Sequence, residues 1–228
     1  MPTTLITGAT RGLGRESARR LIAAGHDVLI GARDAARGEE VAEELGAVGV
    51  VVIDVADDAS VAAAAARVER LDVLVNNAGI LGAHVPLREV TAEHLRPVFE
   101  TNVLGVVRVT QAFLPHLERS PAPVVVNVSS GMGSMTVTGD PSRVEHGLAN
   151  VTYSPSKAAV NMITTQYAKA YPAMRVNAVD PGYTATDFNG HSGPQSIEEG
   201  TDQIVAMASI GTDGPTGTFT DRHGVVGW

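Results

Sequence analysis

No cysteine occurs anywhere in the 228 residues, so disulfides, thiolate metal ligands and a cysteine nucleophile are excluded, and a reducing, cytoplasmic setting is expected. Metal ligands are scarce in other ways. The seven histidines are scattered, and none falls into HExxH or a comparable spacing, so no metal centre is expected. Basic residues are the minority. Seventeen Lys and Arg stand against 25 Asp and Glu, a net charge of −8, which argues against the broad polyanion-binding surface that nucleic acid requires. Any phosphate site must therefore be local. Long apolar runs are also missing: the alanine-rich "SVAAAAARVERL" is too short to cross a bilayer and ends in charges. "MPTTLITGAT" carries no basic segment leading into an apolar core and cleavage site, so neither a membrane anchor nor a secretory leader is expected.

What the chain does have is alternation. With 44% hydrophobic residues it can build one well-buried core, and strand-length apolar runs alternate with longer helical patterns, the mark of a parallel sheet covered by helices. Strands are expected at 3–7, 27–32, 48–53, 73–76, 124–128, 174–179 and 217–220, and helices at 13–24, 35–45, 60–69, 97–118, 154–171 and 196–207. Runs such as "VGVVVI" and "VVVNV" are continuous rather than alternating, as expected where both faces are buried. The reading is a single α/β domain over 1–228, a doubly wound parallel sheet of about seven strands with helices on both faces. Pro97 is expected in the first turn of its helix. Residues 131–152 and 183–200 show no clear period, and both follow the C-terminal end of a strand, where ligands bind in such sheets.

Gly8, Gly12 and Gly14 follow the first strand and open the first helix. Such a loop turns tightly, admits a pyrophosphate close to the backbone and aims a helix N-terminus at it. The spacing is GxxxGxG rather than GxGxxG, and on its own it serves a simple turn equally well. About 20 residues on, where an NAD site carries an acid for the ribose 2′-hydroxyl, this chain has Ala32 and Arg33. An arginine there accommodates a 2′-phosphate instead. Arg11 and Arg37 can converge with Arg33 on one dianion, with a hydroxyl from Thr10 beside them. The competing arrangement is a solvated helix start with Arg37 paired to Glu40 or Glu43.

The order "TGATRGLG" at 7–14, "DV" at 54–55, "NNAG" at 76–79, "TN" at 101–102, "NVSS" at 127–130, "YSPSK" at 153–157 and "DPGYTAT" at 180–186 resembles the short-chain dehydrogenase/reductases over nearly the whole chain. The resemblance implies a Rossmann-type fold and an NADP(H)-dependent oxidoreductase. It implies that the loop from Gly8 to Gly14, with Leu13, holds the pyrophosphate, that Asp54 and Val55 contact the adenine, and that Asn77, Ala78 and Gly79 support the cofactor. Pro181, Gly182, Thr184 and Thr186 would face the nicotinamide and pyrophosphate, and Asn102, Ser130, Tyr153 and Lys157 would be the catalytic group. "GARDAARG" is similar to the carbonyl-reductase branch, in which both arginines approach the 2′-phosphate. Two departures stand out. Ser130 precedes Tyr153 by 23 residues, about ten more than in many members, and Pro155 replaces the more usual alanine.

Tyr153 and Lys157 are four apart at a helix start and so share a face. The ammonium and the helix N-terminus are expected to favour phenolate and draw the tyrosine toward neutrality. A plain Tyr–Lys surface pair is the competing reading, and Ser130 decides against it. The expected chemistry is hydride transfer to a ketone or aldehyde carbon, with Tyr153 protonating the alkoxide and Ser130 bonded to the same oxygen. Asn102 is expected to support a water near Lys157, or else to be an ordinary buried amide bridging helix and strand. The same residues permit alcohol oxidation; a non-catalytic NADP(H) sensor would be expected to have lost one of them, and none is lost. The candidate lids offer Met132, Met135, Val137 and Phe188 beside Asp140, Arg143, His146, Asn189 and His191. The partner is expected to be a small carbonyl or alcohol compound, with no nucleic acid or membrane. Dimer, tetramer and monomer all stay open, because the added segment before Tyr153 could cover the helices through which such proteins assemble.

Overall fold

The computed structural model describes all of residues 1–228. The strands are β1 Thr3–Thr7, β2 Asp27–Ala32, β3 Gly49–Val52, β4 Val73–Asn76, β5 Val124–Val128, β6 Arg175–Val179, β7 Phe219–Asp221 and β8 Gly224–Val225. They form one sheet in the order β3-β2-β1-β4-β5-β6-β7-β8. The first seven run parallel, and β8 returns antiparallel along β7. The eighth strand is the departure from the expected seven. At two residues it is too short to carry a period, and it follows a turn in which Asp221 accepts the His223 N–H at 2.7 Å.

Successive strand residues point to opposite faces. Leu5, Leu74 and Val125 join one core with Val61 of α3 (Asp58–Arg67) and Phe113 and Leu117 of α5 (Gly105–Leu117). Ile6, Val75 and Val126 join the other, with Leu21 of α1 (Gly12–Ala23), Val41 of α2 (Ala35–Leu45) and Ile204 of α8 (Ile197–Ala208). Every residue of β4 and β5 is buried, which is why these strands read as unbroken apolar runs. No helix is long and apolar enough to cross a membrane.

The expected helix at 97–118 is corrected at both its start and its middle. It begins as α4, Ala92–Phe99, behind a Thr91–His94 capping box, so Pro97 lies inside the helix rather than in its first turn. The helix then widens into a π-turn over Glu100–Leu104 before α5 begins. Proline has no N–H to give the carbonyl one turn back, and π-turns concentrate at functional positions; this one carries Asn102. The aperiodic stretch 131–152 is folded. It holds a 3₁₀ turn at Gly131–Gly133, a short helix α6 at Met135–Gly139 and a second 3₁₀ turn at Val144–Gly147, and it leads into α7, Tyr153–Ala170. α6 is tied to the chain's last residues: Ser134 Oγ donates to Gly227 O at 2.6 Å and Thr136 Oγ1 to Trp228 O at 2.9 Å.

Candidate active site

The loop leaving β1 is shaped by its glycines and by the turn after β4. Gly8 has φ +65° and Gly12 φ +54°, values that disfavour any side chain. At Gly14 a Cβ would lie 2.5 Å from both Asn77 Nδ2 and Gly8 O. Asn77 fastens the loop, donating its Nδ2 to Thr7 O at 2.8 Å and Gly8 O at 3.2 Å, while Thr7 Oγ1 accepts the N–H groups of Asn77 and Ala78, each at 3.0 Å. The helix α1 starts behind Arg11 with no side-chain cap, whereas α2 and α3 are capped by Asp34 and Asp57. Its first-turn N–H groups thus have no side-chain acceptor of their own. Leu13 packs on the α8 side of the core, and Thr186 lies 3.9 Å from a Cβ placed on Gly12. The Pro181–Thr186 segment therefore faces the glycine loop. Asn189 holds it there by donating to Thr184 O at 2.9 Å and accepting the Thr186 N–H at 3.2 Å. An uncapped helix start behind side-chain-free backbone fits the pyrophosphate of a dinucleotide.

Arg11 in the glycine loop and Arg33 after β2 are exposed and make no ion pair. Arg37 pairs with Glu40 across one helical turn at 2.5 Å, with both side chains solvated, so the competing arrangement holds for that arginine. Asp34, the acid next to Arg33, accepts the Arg37 N–H at 3.1 Å as the cap of α2. The acid beside Arg33 is thus used to start a helix. At the end of β3, Asp54 Oδ1 accepts the Ala56 N–H at 3.0 Å, and Val55 is turned into the core. Of that pair, only Asp54 presents its side chain near the surface.

Ser130 leaves β5, and its Oγ accepts the Met132 N–H at 3.2 Å. Tyr153 opens α7. Its position is set by Asn150, whose Oδ1 accepts from Thr152 N at 3.0 Å, Thr152 Oγ1 at 2.9 Å and Tyr153 N at 2.8 Å. Asn150 was invisible as a site residue, because its role depends on where the helix starts. Lys157 follows one turn later with its Nζ 5.6 Å from the centre of the Tyr153 ring, and it donates to Val128 O at 2.7 Å. Phe188, from the segment after β6, packs tilted against the ring with centroids 5.7 Å apart. Asn102 is the buried bridging amide: it accepts from Ile80 N at 2.8 Å and donates to Ile80 O at 2.9 Å and Ser156 Oγ at 3.1 Å. Gly79 leaves room between the amide and the ammonium, since a Cβ there would sit 3.3 Å from Asn102 Oδ1 and 3.7 Å from Lys157 Nζ.

The expected drift of Tyr153 toward phenolate is opposed by its burial. Burial pushes its hydroxyl well above the usual tyrosine range, with hydrogen bonding to Ser130 pulling the other way and Asp180 adding to the rise. Burial also brings Lys157 down to about 8, against the attraction of Asp180. Desolvation wins because the ammonium is cut off from water and the Asp180 charge offsets only part of that cost. The phenol is therefore protonated at neutral pH, the form that gives a proton away.

The lids contribute less than their sequences suggest. Met135 is 84% exposed, and Val137 packs against Ala178 and Phe219 in a small core of its own. A polar cavity of about 370 Å³ adjoins the Pro181–Gly182 turn, walled by Arg143, Glu145, Asp180 and Gln195 among others. A second, apolar cavity of about 470 Å³ lies on α5 and α7, where Met162, Ile163 and Tyr167 form its floor. Met162 is 62% exposed, so the added segment leaves this face open. No group of His, Asp and Glu side chains is arranged to hold a metal ion.

A family model described as short chain dehydrogenase matches residues 2–196. The chain is 37% identical to "Short-chain dehydrogenase anuI" of Penicillium roqueforti, over 92% of this chain and 90% of that protein. It is 31% identical to (-)-isopiperitenone reductase of Mentha piperita, over 96% and 95% respectively. A solved structure of gluconate 5-dehydrogenase from Burkholderia cenocepacia, in complex with NADP and tartrate, superposes with a TM-score of 0.82 at 26% identity, covering 96% of this chain and 92% of that one. With a glycine loop on β1, a serine after β5 and a tyrosine and lysine one turn apart on α7, the chain belongs to the short-chain dehydrogenase/reductase family of oxidoreductases.

Proposed function

We propose that this chain is an NADPH-dependent reductase that converts a ketone or aldehyde to an alcohol, with residues 1–228 acting as one catalytic unit. The observation that carries the reading is the convergence of buried Tyr153 with Ser130 and with Lys157 one helical turn on. When bound, NADPH supplies the hydride. The residues suited to hold it are Gly8, Thr10, Arg11, Gly12, Leu13 and Gly14 at the pyrophosphate, with the Asp54 side chain and only the backbone of Val55, whose side chain lies in the core, at the adenine. Arg33 would lie at the 2′-phosphate, and Arg37 would join it by leaving Glu40. Asn77, Ala78 and Gly79 would back the cofactor, and Pro181, Gly182, Thr184 and Thr186 would close over it.

The chain's own part is proton and hydrogen-bond chemistry. The carbonyl oxygen would take the Ser130 hydroxyl as donor, and Tyr153 would give its proton to that oxygen as negative charge develops. Lys157, with its ammonium titrating near 8, would hold the nicotinamide ribose and keep positive charge near the phenol. Asn102 acts further back, fixing Ile80 and Ser156 around the lysine. Alcohol oxidation would run the same proton transfer in reverse, with the Tyr153 phenolate as base, so the cofactor ratio would set the direction. The names of relatives, a reductase and dehydrogenases, support both the reaction class and a small-molecule partner. The open apolar face on α5 and α7 would seat a second copy, which sedimentation of the purified protein tests. The activity test is NADPH oxidation over a panel of ketones, aldehydes and quinones. No turnover on any of them, or equal turnover by Tyr153→Phe, overturns the reading.

A further inference from the structure

Two carboxylates from different loops meet beside the catalytic serine. A Cβ placed on Gly131, the residue after Ser130, would lie 2.8 Å from Asp180 Oδ2 and 2.9 Å from Glu145 Oε1. Asp180 is 3% exposed and Glu145 8%. Asp180 ends β6, and its Oδ1 accepts the Gly182 N–H at 2.9 Å while the carboxylate also takes the backbone N–H of Gly131. One side chain thereby ties the turn holding Ser130 to the Pro181–Gly182 turn. Glu145 brings the added 131–152 segment to the same point, with Arg143 Nε 3.4 Å away from its other oxygen.

Resting on the function proposed above, we infer that Asp180 is a positioning residue: its carboxylate holds Ser130 and the Pro181–Gly182 turn in register, and Glu145 closes the added segment against it. Two acceptor oxygens suit the task, because Oδ1 takes the Gly182 N–H while the carboxylate also faces the backbone N–H of Gly131. Asparagine has one. In Asp180→Asn the amide oxygen keeps Gly182, and the amide N–H₂ turns to Glu145, leaving the Gly131 N–H without its acceptor. The groups facing Asp180 are Glu145 and Arg143 from the added segment, Asp221 from β7, and Tyr153 and Lys157 from α7. Burial and the two neighbouring acids hold the Asp180 carboxyl above the usual carboxylate range. Its stabilising contribution is therefore complete below its unfolded value and lost as pH rises through the folded one.

The test pairs kinetics with a measurement that needs no turnover. Asp180→Asn is expected to lower kcat roughly ten- to hundredfold, as a misplaced catalytic group does, while NADPH affinity by fluorescence titration stays within about twofold. Its alkaline limb, set by Lys157, moves to lower pH because a negative charge near the ammonium is gone. Wild-type kcat with an unmoved pH profile overturns the proposal, as does a fall in kcat with the profile unmoved. Arg143→Ala takes out the attraction between Arg143 and Glu145, so in that background Glu145→Gln removes only the repulsion and should raise the thermal midpoint at pH 8; no rise means that the acids do not meet. Should wild type itself reduce no carbonyl compound, the proposed function falls, while the Glu145→Gln melting comparison still judges the contact.

Discussion

Lys157 directs its ammonium to the Val128 carbonyl at 2.7 Å and stands 5.6 Å from the centre of the Tyr153 ring. The pair is adjacent but not hydrogen-bonded, and both groups are taken out of water. Each is therefore pushed toward its neutral form, the lysine down to about 8 and the tyrosine upward.

That opposition has a thermodynamic consequence. For a lysine, a folded value near 8 against an unfolded value near 10.5 means that the charged form destabilises the fold at neutral pH. The cost, about 3 kcal/mol, is complete below pH 8 and is relieved as pH rises toward 10.5, where the unfolded chain also loses the proton. Lys157→Met should accordingly melt at a higher temperature than wild type at pH 7, less what the unpaired Val128 carbonyl costs, and the difference should shrink between pH 8 and 10. Turnover should be lost. A variant that melts lower at pH 7 would mean that the buried ammonium is better solvated than its surroundings imply.

Tyr153→Phe removes the proton donor but no part of the glycine loop. Reduction should disappear while NADPH still binds with near wild-type affinity. Ser130→Ala removes one hydrogen bond to the developing alkoxide, an effect of about 3 kcal/mol, so kcat should fall on the order of a hundredfold. A rise in KM alone would make Ser130 a binding residue. Steady-state kinetics beside a cofactor titration separate these outcomes.

Asn150 is the hinge between the added segment and the site, since its one oxygen receives Thr152 and Tyr153 at the start of α7. Losing such a cap costs about 1 kcal/mol, which lowers the melting midpoint by roughly 2–4 °C in a chain of this size. Because the freed turn carries Tyr153, Asn150→Ala should also lower kcat more than it weakens NADPH. Equal losses in both would point to general loosening.

These positions differ in how readable they were. The strands were plain, because residues buried on both faces, such as Val124–Val128, must all be apolar. Gly8, Gly14, Ser130, Tyr153 and Lys157 were findable because the turn and the shared helix face fix their spacing. Asn150, Asp180 and Glu145 were not, since their roles arise only when 131–152 and the end of β6 fold onto the same spot. The direction of the Tyr153 shift was misjudged for a related reason. Spacing shows that a lysine is near, but not that its ammonium is drawn to Val128 or that the phenol is dry. Pro97 suggested a helix start where Thr91 and His94 supply a better one five residues earlier.

The proposed preference for NADPH rests on the end of β2. Arg33 has no ion-pair partner there, and Asp34, the one acid at hand for a ribose hydroxyl, is committed to the Arg37 N–H. A 2′-phosphate would meet the unpaired Arg33 guanidinium beside an acid that is already capping α2. Hydrogen bonds to charged groups contribute roughly 1.5–3 kcal/mol, so Arg33→Ala should weaken NADPH about ten- to hundredfold and leave NADH almost unchanged. Arg37→Ala should cost less, because its guanidinium must first leave Glu40. Ala32→Asp sets a carboxylate against the phosphate while offering the bare ribose an acceptor, and it should erode the preference further. Fluorescence titration of wild type and the three variants with both cofactors measures this directly. Equal wild-type affinity for NADH and NADPH, or parallel losses of both in Arg33→Ala, would reduce the arginine to a solvated residue ahead of α2.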